Sequence, residues 1–242
     1  MTLLSFHGSE EIKAKYVDRV KVHTELDHLI QGEGWNGERG CAIGCTLENY
    51  SHSAYETELG IPEWLAHVED KLFEGMSVDD SRLWPSQFLE AIQPGKDLNV
   101  ILGPLMIFVL HIALDQFDHE KYPDCKKVID DVILLWQSNE KDLDKFRKAA
   151  NAAANAANAA YAAYAAYAAN AANAAANAAY AAYAANATNA AYAAAYAAAA
   201  NAANAAYAAY AANATNAAAY AAAANAASRR IADKLLELLK SL

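Results

Sequence analysis

A chain of 242 residues with a formal net charge of −10 is long enough for one large or two small domains. Charge is segregated: residues 229–242 carry four basic and two acidic groups, which leaves 15 basic and 27 acidic in the first 148. That acidic surface repels phosphates and argues against direct DNA or RNA binding, while three cysteines, an odd number, do not make a secreted disulfide framework.

The first residues, MTLLSFHGSEE, lack a basic segment followed by a long apolar run, so no signal peptide is expected. Ser9 is placed to cap a helix from about Glu10 to Ile30, with Val17, Val20, Leu26, Leu29 and Ile30 on its buried side. Four residues apart, His23 and Asp27 share a face of that helix, and His28 points elsewhere. Residues 31–40 form a loop crowded by Gly32, Gly34, Gly37 and Gly40 around Trp35. Tight turns, close backbone approach to a ligand and plain flexibility all remain open there; a nucleotide cradle lacks its motif and its preceding strand.

The segment 40–75 reads GCAIGCTLENYSHSAYETELGIPEWLAHVEDKLFEG. The spacing predicts a helix over 53–59, a stop at Gly60, and a second helix opened by Pro62 and ended by Gly75. Trp64, Leu65, Val68, Leu72 and Phe73 make the apolar face of the second helix. A shorter helix is expected at about Pro85–Ile92, then a buried helix from Leu98, then one from about Asp124 to Gln137. The apolar run 98–114 is too short and too interrupted for a comfortable membrane span. No alternating strand pattern is present, so the expected class is all-α, and a cytoplasmic location follows from the missing leader and span.

Residues 149–227 are almost wholly Ala, Asn and Tyr, with no charge, no Gly and no Pro, a composition that favours helix. Between Asn151 and Asn225, 22 steps between successive Asn and Tyr residues cover 74 positions, a mean of about 3.4. That is tighter than the roughly 3.6 residues of a helical turn, so the large side chains wind around the helix. An uncharged helix of this kind needs neighbours, with Tyr ridges fitting Ala grooves. The repeat YAAYAANATNA occurs at 180–190 and 207–217, and its N-A-T-N elements suit helix breaks, giving a bundle of helices packed as a repeat. Ser228 is a plausible cap for a final amphipathic helix with Ile231, Leu235, Leu238, Leu239 and Leu242 on one face. Two domains are therefore expected, an acidic helical one at 1–148 and the Ala/Asn/Tyr-rich segment with its terminal helix at 149–242.

The chain resembles a family of uncharacterised bacterial proteins. The resemblance rests on Gly40–Thr46 (G-C-A-I-G-C-T), His52–Pro62 (H-x-x-Y-E-x-E-L-G-I-P) and Val68–Glu74, where Val68 stands for the family's Leu. It extends to an Ala-rich tail, with Asn here where the family carries Arg, and to the A-D-K-L-L ending at 232–236. It implies an Ala-rich helical tail and brings no activity.

Two kinds of chemistry fit the residues of the N-terminal part. Cys41, at a helix start, with His52 as base and Glu56 or Asp70 orienting it, matches a Cys-His-acid arrangement. His23, Asp27, His52 and Glu56, with His67 or Asp70 nearby, match a divalent metal site between helices. Against both stand core packing for the thiols and hydrogen bonding for the buried polar groups. The large uncharged tail, which chemistry does not need, favours a non-enzymatic protein–protein interaction module, of inhibitor, immunity-like or scaffold type, with a protein partner or self-association. A metal- or thiol-dependent enzyme is the alternative.

Overall fold

The computed structural model describes residues 2–115, 117–138, 140, 142–162 and 217–242. The expected breaks at the two N-A-T-N elements, and the expected Tyr and Asn ridges beyond residue 162, lie outside the described residues. The fold is all-α, and no strand occurs among the described residues. Among the same residues no helix is long and apolar enough to cross a membrane. By compactness the chain divides into one unit of Met1–Leu102 with Ala232–Leu242 and a second of Gly103–Ile231.

The first unit opens with α1 (Glu10–Glu25), whose first turn is capped by Ser9 Oγ accepting from Ile12 N at 3.2 Å. The helix stops five residues earlier than its apolar pattern suggests. Asp27 adopts a left-handed conformation (φ 57°), Asp27 N donates to Thr24 O at 3.2 Å, and His28 N donates to His23 O at 2.9 Å. These two bonds form a Schellman motif, which satisfies the last carbonyls of the helix and reverses the chain. Leu26, expected in the core, is consequently exposed.

α2 (Ala42–Leu47) is short, buried throughout, and has Cys41 at its N-cap. The glycines before it serve close backbone approach. Cys41 N donates to Gly34 O at 3.0 Å, and a Cβ on Gly40 or Gly44 would lie 2.1 or 1.9 Å from that same oxygen. Residues 28–30 bridge to Gly40, with Ile30 N and Gly40 N each making one cross-loop bond. A π-helical turn (Tyr55–Leu59) ends at Gly60 in the left-handed region (φ 62°).

α3 (Glu63–Gly75) follows the sequence pattern closely, and Trp64, Leu65, Val68, Leu72 and Phe73 are all buried. α4 (Val78–Ala91) starts well before Pro85, because Ser77 caps it: its Oγ accepts from Asp80 N at 3.2 Å. Pro85 therefore lies inside the helix, where it forgoes one backbone hydrogen bond. Trp84 Nε1 donates to Glu69 O at 3.0 Å and ties α4 to α3. Lys96 Nζ donates to the Leu242 carbonyl, which joins the C-terminal residues to this unit.

α5 (Leu102–Leu114) is the buried apolar helix, after a short 3-10 turn (Leu98–Ile101). In the second unit, α6 (Pro123–Gln137) and α7 (Leu143–Ala162) pack together. Phe146, Ala150 and Ala153 form the buried face of α7, while Asn151 and Asn155 are exposed. At this beginning of the Ala-rich segment it is alanine that packs and asparagine that faces water. α8 (Ala217–Lys240) runs without a break through Ser228, which is buried inside it and is not its cap. Ile231, Leu235 and Leu239 are buried, as the amphipathic pattern requires.

The Gly34 carbonyl sets a clear test. Gly44→Ala adds helix propensity of about 1 kcal/mol but drives a Cβ into a backbone oxygen that cannot move alone. Urea unfolding of this variant is expected to show a net loss of about 3 kcal/mol. Gly32→Ala, at φ 83° in open space, is expected to lose about 1 kcal/mol. Equal losses for the two would remove the steric account.

Candidate functional site

Two clusters in the first unit carry chemistry, one closed and one open. The closed cluster lies where α2, the π turn and α3 meet. Its centre is Asp70 of α3, whose Oδ2 is 3.0 Å from His52 Nε2. The same carboxylate faces Cys41. Burial first, and then the Asp70 charge, push the Cys41 thiol far above its usual range, against a smaller pull from the backbone N–H groups of Gly44 and Ile43. His52 stacks on His67 with ring centroids 3.5 Å apart and planes 13° from parallel. Burial, followed by the neighbouring His52, lowers the His67 pKa to about 3.

Behind this layer sit Glu69, Tyr55 and Thr46. Both Glu69 oxygens, Tyr55 Oη, Thr46 Oγ1 and Asp70 Oδ1 are buried without a hydrogen bond of good geometry among the described residues. They are close enough to act on one another nonetheless. Burial raises Glu69 well above the ordinary carboxylate range, with Asp70 adding to the rise and Tyr55 opposing it. Tyr55 is raised by burial and by Glu69. Cys45 is pushed up to about 12 by burial, with its Sγ 3.4 Å from Gly40 O. Burying this many polar groups is costly, and such a concentration of shifted groups is a feature of functional sites.

The open cluster is a groove of about 630 Å³ lined by Arg19, Val22, His23, Leu26, His28, Trp35, Gly37, Glu38 and Glu48. The Schellman motif builds its floor: it brings His23 and His28 together, with Nδ1 atoms 3.2 Å apart. Burial, then His28, hold His23 below its ordinary pKa, while Glu48 pulls it the other way. Trp35 meets the His23 ring edge-on at 5.5 Å. The far ring nitrogens face carboxylates, His23 Nε2 to Glu48 Oε1 at 3.9 Å and His28 Nε2 to Glu38 Oε1 at 3.7 Å. Arg19 bonds Thr46 O at 3.0 Å and approaches Glu48 at 3.6 Å.

The residues expected to act together are therefore distributed. Cys41 and His52 meet through Asp70. Glu56 serves the backbone: its Oε1 accepts from Glu63 N at 3.1 Å at the start of α3. His23 belongs to the groove, and Asp27 turns outward to an ion pair with Arg82 at 2.8 Å. His23, Asp27, His52 and Glu56 thus do not converge, and no group of three or more His, Cys, Asp and Glu among the described residues is arranged to hold a metal ion. His28, expected to point elsewhere, is brought back by the left-handed Asp27. No glycine marks that turn, so the sequence offered as its single cue an Asp, one of the few residues that tolerate the conformation. No family model, curated protein or solved structure matches the chain.

The closed cluster makes stability depend on pH from two directions. His67 has a folded pKa below its unfolded value, so its stabilising contribution is present above about 6.5 and is lost as pH falls towards 3. Glu69 has a folded pKa above its unfolded value, so stability is lost as pH rises from about 4.5 through the folded value. In thermal unfolding against pH, His67→Asn is expected to flatten the acid limb and Glu69→Gln the alkaline limb. Unchanged limbs would show that neither group stays neutral in the folded protein.

Proposed function

We propose that the chain is a non-enzymatic interaction module whose first unit captures a protein segment in the His23–His28 groove. One observation carries this reading: the groove is open, whereas the candidate nucleophile is shut away, with Cys41 1% exposed. The groove offers an aromatic wall at Trp35 and apolar contact at Val22 and Leu26. Its rim carries Glu38 and Glu48, whose side chains are 71% and 53% exposed. On a protein of net charge −10, that combination suits a segment presenting arginine, which pairs with carboxylates and stacks on aromatic rings.

Titration of the full chain with an arginine-rich decapeptide, followed by the ring resonances of His23, His28 and Trp35, tests the reading. Saturable binding at micromolar concentration is expected, weakening as salt rises and about tenfold weaker in an E38Q/E48Q double variant. A glutamate-rich decapeptide is expected not to bind. Binding indifferent to E38Q/E48Q, or none with the arginine peptide, overturns it.

A second reading, a thiol-dependent enzyme, is favoured by Asp70 facing both His52 and Cys41, with the Ile43 and Gly44 amides directed at the sulfur. Against it stands the raised thiol, since the thiolate is the nucleophile. The interaction reading expects Cys41 to resist iodoacetamide near neutral pH in the native chain and to react fully once unfolded. Fast native alkylation of Cys41, slowed by His52→Asn, would transfer the preference to the enzyme.

A further inference from the structure

The geometry points to a transition-metal site in the groove, in which Nδ1 of His23 and Nδ1 of His28 hold a zinc-class divalent ion. This inference does not depend on the protein-segment reading: it rests on the two histidines of the floor, with the rim glutamates entering only through the far nitrogens of those rings.

His23 Nδ1 and His28 Nδ1 lie 3.2 Å apart, at hydrogen-bond distance if one of them carries the ring proton. Two lone pairs facing each other at that distance repel, so something positive lies between or beside them: a ring proton on one nitrogen, or a cation bound by both. The far nitrogens decide which is favoured. His23 Nε2 faces Glu48 and His28 Nε2 faces Glu38. At 3.9 and 3.7 Å these are charge contacts and not hydrogen bonds. Each carboxylate favours the tautomer with hydrogen on Nε2, which leaves both Nδ1 atoms as bare ligands. A carboxylate behind each histidine is the usual support of a metal-binding imidazole.

Spacing and access agree with this. Two nitrogens bound to one tetrahedral zinc at roughly 2.0–2.1 Å stand about 3.3 Å apart, close to the distance found. Both rings line the groove, so the remaining coordination positions open onto its interior and are filled by water or by a donor atom of a bound molecule. No third His, Cys, Asp or Glu among the described residues completes the set. The site therefore offers two protein ligands, suits imidazole-preferring ions such as zinc, copper or nickel, and binds more weakly than a closed structural site.

The turn explains why the two histidines meet. They occupy the two positions of a Schellman motif whose side chains ordinarily touch as apolar residues. Here imidazoles take those places, and an apolar pair would have served the helix end equally well.

Calorimetric titration of the full chain with Zn²⁺ is the test, read together with the nitrogen resonances of the seven histidines. One equivalent is expected to bind with a dissociation constant on the order of micromolar, shifting Nδ1 of His23 and His28 and leaving the other five rings unmoved. His28→Asn is expected to weaken binding about 100-fold or more, and E38Q/E48Q about tenfold, with both variants keeping the helical circular dichroism of the parent. Undiminished Zn²⁺ binding in His28→Asn, or shifts at other histidines, overturns the proposal, as does no heat of binding at millimolar Zn²⁺. Failure of the arginine peptide to bind leaves this result untouched, and the reverse also holds, so the two proposals stand or fall separately.

Discussion

One carbonyl oxygen, that of Gly34, occupies space that two side chains would otherwise claim. It accepts the Cys41 amide and lies against Gly40 and Gly44 at distances that no Cβ tolerates. Through that contact the glycine-rich loop is fixed to the start of α2. Trp35 and Glu38 are thereby set on one side of the contact, and Cys41, Cys45 and Glu48 on the other. Both clusters of the first unit take their positions from it: the groove needs the loop and the end of α2, and the buried cluster needs the beginning of α2.

The two clusters illustrate how burial separates binding from reactivity. In the closed cluster, low dielectric keeps Cys41, Tyr55 and Glu69 in their neutral forms. A neutral thiol, phenol or carboxylic acid is a weak nucleophile and a weak base, whatever the mutual geometry. In the groove the carboxylates of Glu38 and Glu48 are exposed, while the His23 and His28 side chains are only 10% and 13% exposed. His52 and Asp70 of the other cluster are exposed to the same small degree, 11% and 12%.

What the sequence conveyed and what it did not follow from the kind of physics each feature uses. The buried face of α3 was legible because five apolar residues repeat at helical spacing between Pro62 and Gly75. The Ser9 cap was legible for the same reason, as a hydroxyl before an acidic first turn. The end of α1 was not, since apolar residues continue past Asp27 and a left-handed aspartate looks like any other aspartate in a sequence. The start of α4 was not legible from Pro85, since proline usually sits in a first helical turn and here lies inside a helix capped eight residues earlier by Ser77. Among the candidate site residues, Asp70 was one of two acids expected behind His52, but it stands between His52 and Cys41, where the expected order put the histidine beside the thiol. The meeting of His23 with His28 depended on a backbone reversal that no periodicity encodes, and the partner of Glu56 proved to be a main-chain amide.

The membership of Ala232–Leu242 in the same compact unit as the first hundred residues has a consequence for biosynthesis. That unit lacks one of its parts until translation has passed through the whole intervening chain, including the alanine-rich stretch. Long-separated contacts of this sort form late and slowly. Until residues 232–242 have been made, the buried side chains Ala232, Leu235 and Leu239 are missing from this unit, and the apolar surface of the N-terminal helices stays open to misassembly.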